Sequence, residues 1–199
     1  MGGKNMELDA VIKKTILTTL AAIGALLLFI VIGLWALFPS TSMELAYDMG
    51  MESSCIRFAE RAYKGSDDVY FIAYATEVAI EEENEGKIIS CGEKFIKDEG
   101  FETYCALKGD TYEQFIYGRV CVSKYQAGQK EDAVSLACQS LHGAFPKGNA
   151  LVAVLLTSLK ENDRATVNTV KTKLNTLSVD GEDAKYLQET LETLAKLEG

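Results

Sequence analysis

Proline is almost missing from this chain, with Pro39 and Pro146 the two examples in 199 residues, and histidine and tryptophan occur once each. One histidine, His142, leaves no His pair to bind a metal or relay protons, and its place before Gly143 at the end of an expected helix suits a cation facing the helix dipole. No Gly-rich phosphate loop, HExxH, EF-hand loop or nucleophile elbow is present. The five cysteines, Cys55, Cys91, Cys105, Cys121 and Cys138, form neither a CxxC nor a Cys/His ligand pattern. The chain therefore reads as non-catalytic, with no cofactor and no metal ion. An enzyme using a cysteine nucleophile would lack a base.

Basic charge is also scarce. Lys and Arg number 20 against 29 Asp and Glu, for a net charge of −9. Residues 1–38 carry Lys4, Lys13 and Lys14 against Glu7 and Asp9, so the remainder stands at −10. Such a domain is repelled by nucleic acid and by anionic lipid, and neither is an expected ligand. The acidic run Glu81, Glu82, Glu83 and Glu85 points in several directions on a helix and reads as a solvated helix end rather than a metal cluster. An odd number of thiols leaves at least one without a partner inside the monomer. A bridge between Cys121 and Cys138, or one using Cys91 or Cys105, stays open, with buried thiols as the default.

One feature is present in full: residues 15–38 contain no charged side chain. A helix of that length rises about 36 Å, enough to cross a hydrocarbon core of about 30 Å. A cleaved secretory signal, with Ser40, Thr41 and Ser42 at its cleavage site, is the alternative, but its apolar stretch is usually about 7 to 15 residues. Lys4, Lys13 and Lys14 precede the run, and Arg57 is the sole basic residue in the 20 that follow. That asymmetry implies an N-terminal tail (1–14) in the cytoplasm, a transmembrane helix (15–38) in the cell membrane and an extracytoplasmic domain (43–199). Trp35 suits the membrane interface, and Gly24, Gly33, Ala21 and Ala25 offer small residues to a second helix.

Beyond residue 42 apolar residues recur at intervals of three and four with no sustained alternation, which predicts an all-α domain. Helices are expected at 42–49, 52–63, 67–82, 85–97, 110–127, 130–142, 149–160, 164–177 and 182–197, punctuated by Gly65, Asn84, Gly100, Gly109, Gly128, Asn149, Asp163 and Gly181. The second helix of each pair repeats one pattern: Cys55, Ile56, Ala59, Ala62; then Ile88, Ile89, Gly92, Phe95; then Ala133, Val134, Ala137, Ser140; and more faintly from Ala165. The spacings of 33, 45 and 32 fit helix-hairpin repeats with an insertion centred on 101–108.

The unit 114–145 resembles the tetratricopeptide-repeat family. Tyr117 stands at its first-helix aromatic, Val120 and Cys121 at its large-then-small pair, Gly128 at its turn, and Ala133, Ala137, Ser140 and Leu141 in its second helix. Lys124 replaces the second aromatic, and Phe145 precedes Pro146 where the family has its proline. Other units keep less: Gly50, Ala59 and Ala62 in the first, Glu83 and Ile88 at the equivalent places of the second, Ala153 and Ala165 in the fourth. The resemblance spans 43–177 and implies an α-solenoid of about four hairpins, closed by a capping helix with Ala184, Leu187, Leu191 and Leu194 on one face.

The family's first helices line a groove for a peptide or partner segment. Carried over, that groove would hold Tyr70, Glu77, Glu81, Phe115, Val122 and Tyr125, rings and carboxylates suited to an extended, partly basic ligand. Alternatively these aromatics are inter-repeat core. The implied function is a membrane-anchored protein-binding module, a scaffold or assembly factor of an envelope complex. A structural subunit that oligomerises through anchor and repeats is the alternative.

Overall fold

The computed structural model describes residues 3–198, with side chains over 13–33 and 37–196. Among the described residues there are eleven helices and no strand: α1 (Gly3–Leu37), α2 (Pro39–Asp48), α3 (Glu52–Ser66), α4 (Val69–Glu81), α5 (Glu85–Ile96), α6 (Phe101–Lys108), α7 (Tyr112–Gln126), α8 (Lys130–Gln139), α9 (Ala150–Lys160), α10 (Arg164–Leu174) and α11 (Gly181–Glu198).

Helix α1 is continuous over 35 residues, and its segment Lys13–Gly33 is long and apolar enough to cross a membrane, a test that a signal sequence also passes. Its large apolar side chains, including Leu17, Leu26 and Phe29, are exposed. The role expected of Trp35 lies outside the described side chains. Phe38 breaks the helix with φ −127° and ψ 69°, and Pro39 starts α2 at a first-turn position where its missing N–H costs nothing.

From α2 onward the chain folds back on itself. Helix α2 packs on α3, α3 on α4, α4 on α5, α5 on α7, α7 on both α8 and α9, and α9 on α10, while α6 rests on α4 and α7 and α11 on α10. The turns hold because side chains satisfy the exposed N–H groups of helix starts: Asp68 accepts from Tyr70, Asn84 from Lys87, Asn149 from Val152 and Asp163 from Thr166. Helix α8 ends at Gln139, three residues short of its expected end, as the chain turns through His142 and Gly143, both at positive φ.

One apolar core runs from Met43 to Leu194. Fully buried rings and branched chains such as Phe95, Ile116, Leu151 and Phe145 each contribute about 2 kcal/mol of burial free energy. Small residues set the spacing. A Cβ at Gly92 of α5 would lie 2.3 Å from Cγ2 of Val120 on α7, so only glycine permits this approach. In α10 the buried face is Thr166, Val167, Val170 and Leu174, while Ala165, the expected restart of the sequence pattern, is exposed. These four buried positions lie 33 residues after the buried Ala133, Val134, Ala137 and Leu141. Leu187 and Leu194 of α11 are buried, while Glu182, Glu189 and Glu192 face solvent.

All five cysteines are free thiols, four of them buried and Cys138 half-buried, and no bridge joins Cys121 to Cys138.

Candidate functional site

The most distinctive surface lies on α2, α4, α6 and α7, where aromatic rings and carboxylates alternate. Tyr47 of α2 meets Tyr74 of α4 edge-on at 5.8 Å, and Tyr74 meets Tyr70 one turn earlier at 6.0 Å. On the other side, Tyr104 of α6 lies 6.2 Å from Tyr112 of α7, which lies 6.2 Å from Phe115. Spacings of three and four residues put Tyr70, Tyr74, Glu77 and Glu81 along one stripe of α4. Tyr47, Tyr70 and Phe115 remain 42–47% exposed, so each end of the band offers ring surface to solvent.

Glu77 is the centre of this band. The Tyr112 hydroxyl donates to its Oε1, and the Lys108 ammonium pairs with the same oxygen at 2.9 Å. Among the described residues Oε2 carries no bond. Lys108 also sits over two rings, 5.4 Å from the Tyr104 centroid and 5.7 Å from that of Tyr112. Such cation–π contacts are worth about 0.5–1 kcal/mol at an exposed site. The hydrogen bond to Glu77 raises the pKa of Lys108 and keeps it charged. Burial, then the hydrogen bond to Glu77, pushes the Tyr112 hydroxyl up, and burial, then the Glu77 charge, does the same for Tyr104.

Of the six residues expected in a groove, the structure brings Tyr70, Glu77, Glu81 and Phe115 onto this band, with Glu81 accepting a long 3.4 Å bond from Tyr47. Val122 lies elsewhere, half-buried beside Glu83, Glu85, Ile88 and Arg119. Tyr125 is a correction. Its ring is 1% exposed, and its hydroxyl donates to Asp163 Oδ2 at 3.0 Å, so it fastens α7 to the start of α10 and presents nothing to a ligand. Tyr104 and Lys108 lie on α6, a stretch that the sequence pattern assigns to no helix. Tyrosine and lysine four residues apart on one helical face were the available signal.

His142 Nε2 stands 3.5 Å from Glu113 Oε1 at the surface. Glu81, Glu82, Glu83 and Glu85 are all exposed, and among the described residues no group of His, Cys, Asp and Glu side chains is arranged to hold a metal ion. The arrangement on α4, α6 and α7 can hold an ammonium between rings and a carboxylate; it has no nucleophile and base in contact. Comparison with protein-family models, with curated proteins and with solved structures finds no match.

Proposed function

We propose that this chain is a single-pass membrane protein whose C-terminal helices form a degenerate tetratricopeptide-like solenoid that binds another protein, as a non-catalytic scaffold or assembly factor of a membrane complex. In this reading α1 is the uncleaved anchor, with its lysine-flanked start in the cytoplasm and the helical domain outside. Helices α2/α3, α4/α5, α7/α8 and α9/α10 are the hairpins, α6 is inserted between the second and third, and α11 is the cap.

The observation that carries the reading is the band of partly exposed rings and carboxylates on α2, α4 and α7. Rigid rings give contact area at little entropic cost, and the carboxylates orient a partly basic segment. Tethering raises the encounter rate with a partner in the same membrane by fixing both in one layer.

Placing a photocrosslinking phenylalanine analogue at Tyr70 or Phe115 in intact membranes tests this. The same adduct is expected from both positions and not from Glu131 on α8. Equal adducts at all three, or none from any, would overturn the reading. A defined dimer of this chain formed through the band would instead favour the structural-subunit alternative.

A further inference from the structure

We infer that Glu77, Tyr104 and Tyr112 form a lysine-binding site that the chain fills with its own Lys108, so that a lysine from the partner binds by displacing an internal competitor. The inference deepens the proposed protein-binding role and rests on it for the identity of the ligand. Its physical basis is separate: an ammonium, two rings and a carboxylate are already assembled.

Three observations converge. The Lys108 ammonium occupies the geometry that recognition of a foreign lysine requires, 2.9 Å from Glu77 Oε1 and within 5.7 Å of two tyrosine centroids. The occupant is easily released, because the Lys108 side chain is 43% exposed and sits at the last residue of α6, so it can swing into water without moving the helix. The receptor has a second tether, because Glu77 is 25% exposed and the Tyr112 hydroxyl donates to the same oxygen that Lys108 pairs with. Glu77 Oε2, without a bond among the described residues, gives an incoming ammonium a first acceptor before Lys108 departs.

Charge and shape narrow the occupant. Among the described residues Lys108 is the one cation bonded to Glu77, and Glu81, one helical turn beyond it, is paired with the neutral Tyr47 at 3.4 Å. Tyr70 on α4 and Phe115 on α7 offer exposed ring surface, and Leu107, the residue before Lys108, is 84% exposed. An extended segment with a lysine between apolar residues matches this order. An acidic segment is repelled.

Self-occupancy has a measurable signature. If the lysine-free state is a minority, the apparent affinity for a foreign lysine is reduced by that fraction, and removing Lys108 restores it. The probe is Ac-Gly-Lys-Gly-NH2, titrated into the full chain in zwitterionic detergent micelles, with the ring resonances of Tyr104 and Tyr112 followed by NMR. The same peptide with its lysine acetylated is the neutral control.

Lys108→Gln is expected to bind the lysine peptide about fivefold more tightly than the wild type, and the acetylated peptide not at all. Adding Glu77→Gln to Lys108→Gln is expected to abolish the gain. Where that double variant fails to fold, Tyr104→Leu with Lys108→Gln is expected to weaken binding at least threefold, since it removes one ring and leaves the carboxylate. Equal affinity in wild type and Lys108→Gln, or equal binding of both peptides, overturns the inference. Failure of the crosslinking experiment with a positive peptide titration removes the partner reading and leaves the lysine site standing. Specific crosslinks with a negative titration do the reverse.

Discussion

The hydroxyl of Tyr125 donates to Oδ2 of Asp163 at 3.0 Å, across 38 residues of sequence. The same carboxylate pairs with Lys130 at 2.7 Å, accepts from the Thr166 hydroxyl at 2.7 Å and caps α10 by accepting from the Thr166 N–H at 3.2 Å. One side chain thus joins the end of α7, the start of α8 and the start of α10.

Asp163→Ala should therefore cost more than an ordinary cap. Losing the cap costs about 1 kcal/mol, and losing the acceptor of the Tyr125 hydroxyl adds about 1 kcal/mol. Tyr125→Phe removes one bond and leaves the carboxylate paired, so it should cost about 1 kcal/mol. Urea unfolding of the full chain in detergent, followed by circular dichroism, ranks the two. Equal losses would mean that the three-helix junction is not the source of the stability.

The same residue sets a pH dependence. Hydrogen bonds from Lys130, then Thr166, hold the Asp163 carboxyl well below the ordinary carboxylate range, against a smaller opposing effect of burial. A group whose folded pKa is depressed stabilises the fold fully above its unfolded value, about 3.9, and loses that contribution as pH falls towards the folded value. Stability should fall on acidification below about pH 4, and Asp163→Asn should flatten that slope while lowering stability at pH 7. An unchanged acid slope in Asp163→Asn would assign the transition to other carboxylates. Glu60 is one: burial raises its pKa, but hydrogen bonds from Lys87 and Lys94 outweigh burial and lower it.

Gly92 offers a test of packing with a built-in control. Alanine in place of a helical glycine gains about 1 kcal/mol of helix propensity, but here its Cβ would collide with Val120 at 2.3 Å. Overpacking costs about 1–3 kcal/mol, so Gly92→Ala should be net destabilising. In a Val120→Ala background the obstruction is gone, and the same change should become stabilising. Thermal unfolding of the four members of this cycle checks the change of sign.

The helical class was legible because apolar residues at three and four, with Asn84, Asn149 and Asp163 between them, encode both faces and ends of helices. Helix α6 was visible only as extra length: eight residues give too few turns to show a period, and Gly100 before it provides no side-chain cap. The candidate band was half legible. Tyr70 and Glu77 share a stripe of α4 and could be read together, whereas Lys108 joins Glu77 only through the placement of α6. Tyr125 misled because a ring on a first helix looks alike in a groove or a core. Its burial is decided by Asp163, a partner that periodicity does not reveal.

Lys124 stands where the resembled family has an aromatic, and two partners hold its buried side chain there. Its ammonium bonds to Glu93 and, at 3.0 Å, to Gln129, with 6% of the side chain exposed, whereas Glu93 is 34% exposed. The asymmetry predicts unequal costs. Lys124→Met leaves Glu93 able to hydrate and should cost about 1 kcal/mol or less, while Glu93→Gln strands a buried ammonium and should cost about 3 kcal/mol. Denaturant midpoints of the two variants decide it, and a larger loss in Lys124→Met would overturn the account.

The thiols supply a test of the fold and of the proposed topology together. Burial pushes Cys55 and Cys91 up to about 11, and Cys105 and Cys121 up to about 12, so these four carry little thiolate at neutral pH. Cys138 is half-buried; burial also raises it, but the charge of nearby Lys173 works the other way. A membrane-impermeant maleimide at pH 7.5 should therefore label the native chain at Cys138 first, with all five thiols reacting after denaturation. Cys138→Ser should remove the fast phase, and fast native labelling in that variant would refute the buried positions of the others. In intact cells, labelling of Cys138 before the membrane is opened supports an outward domain. Labelling only after opening places it inside and reverses the orientation proposed from Lys4, Lys13 and Lys14.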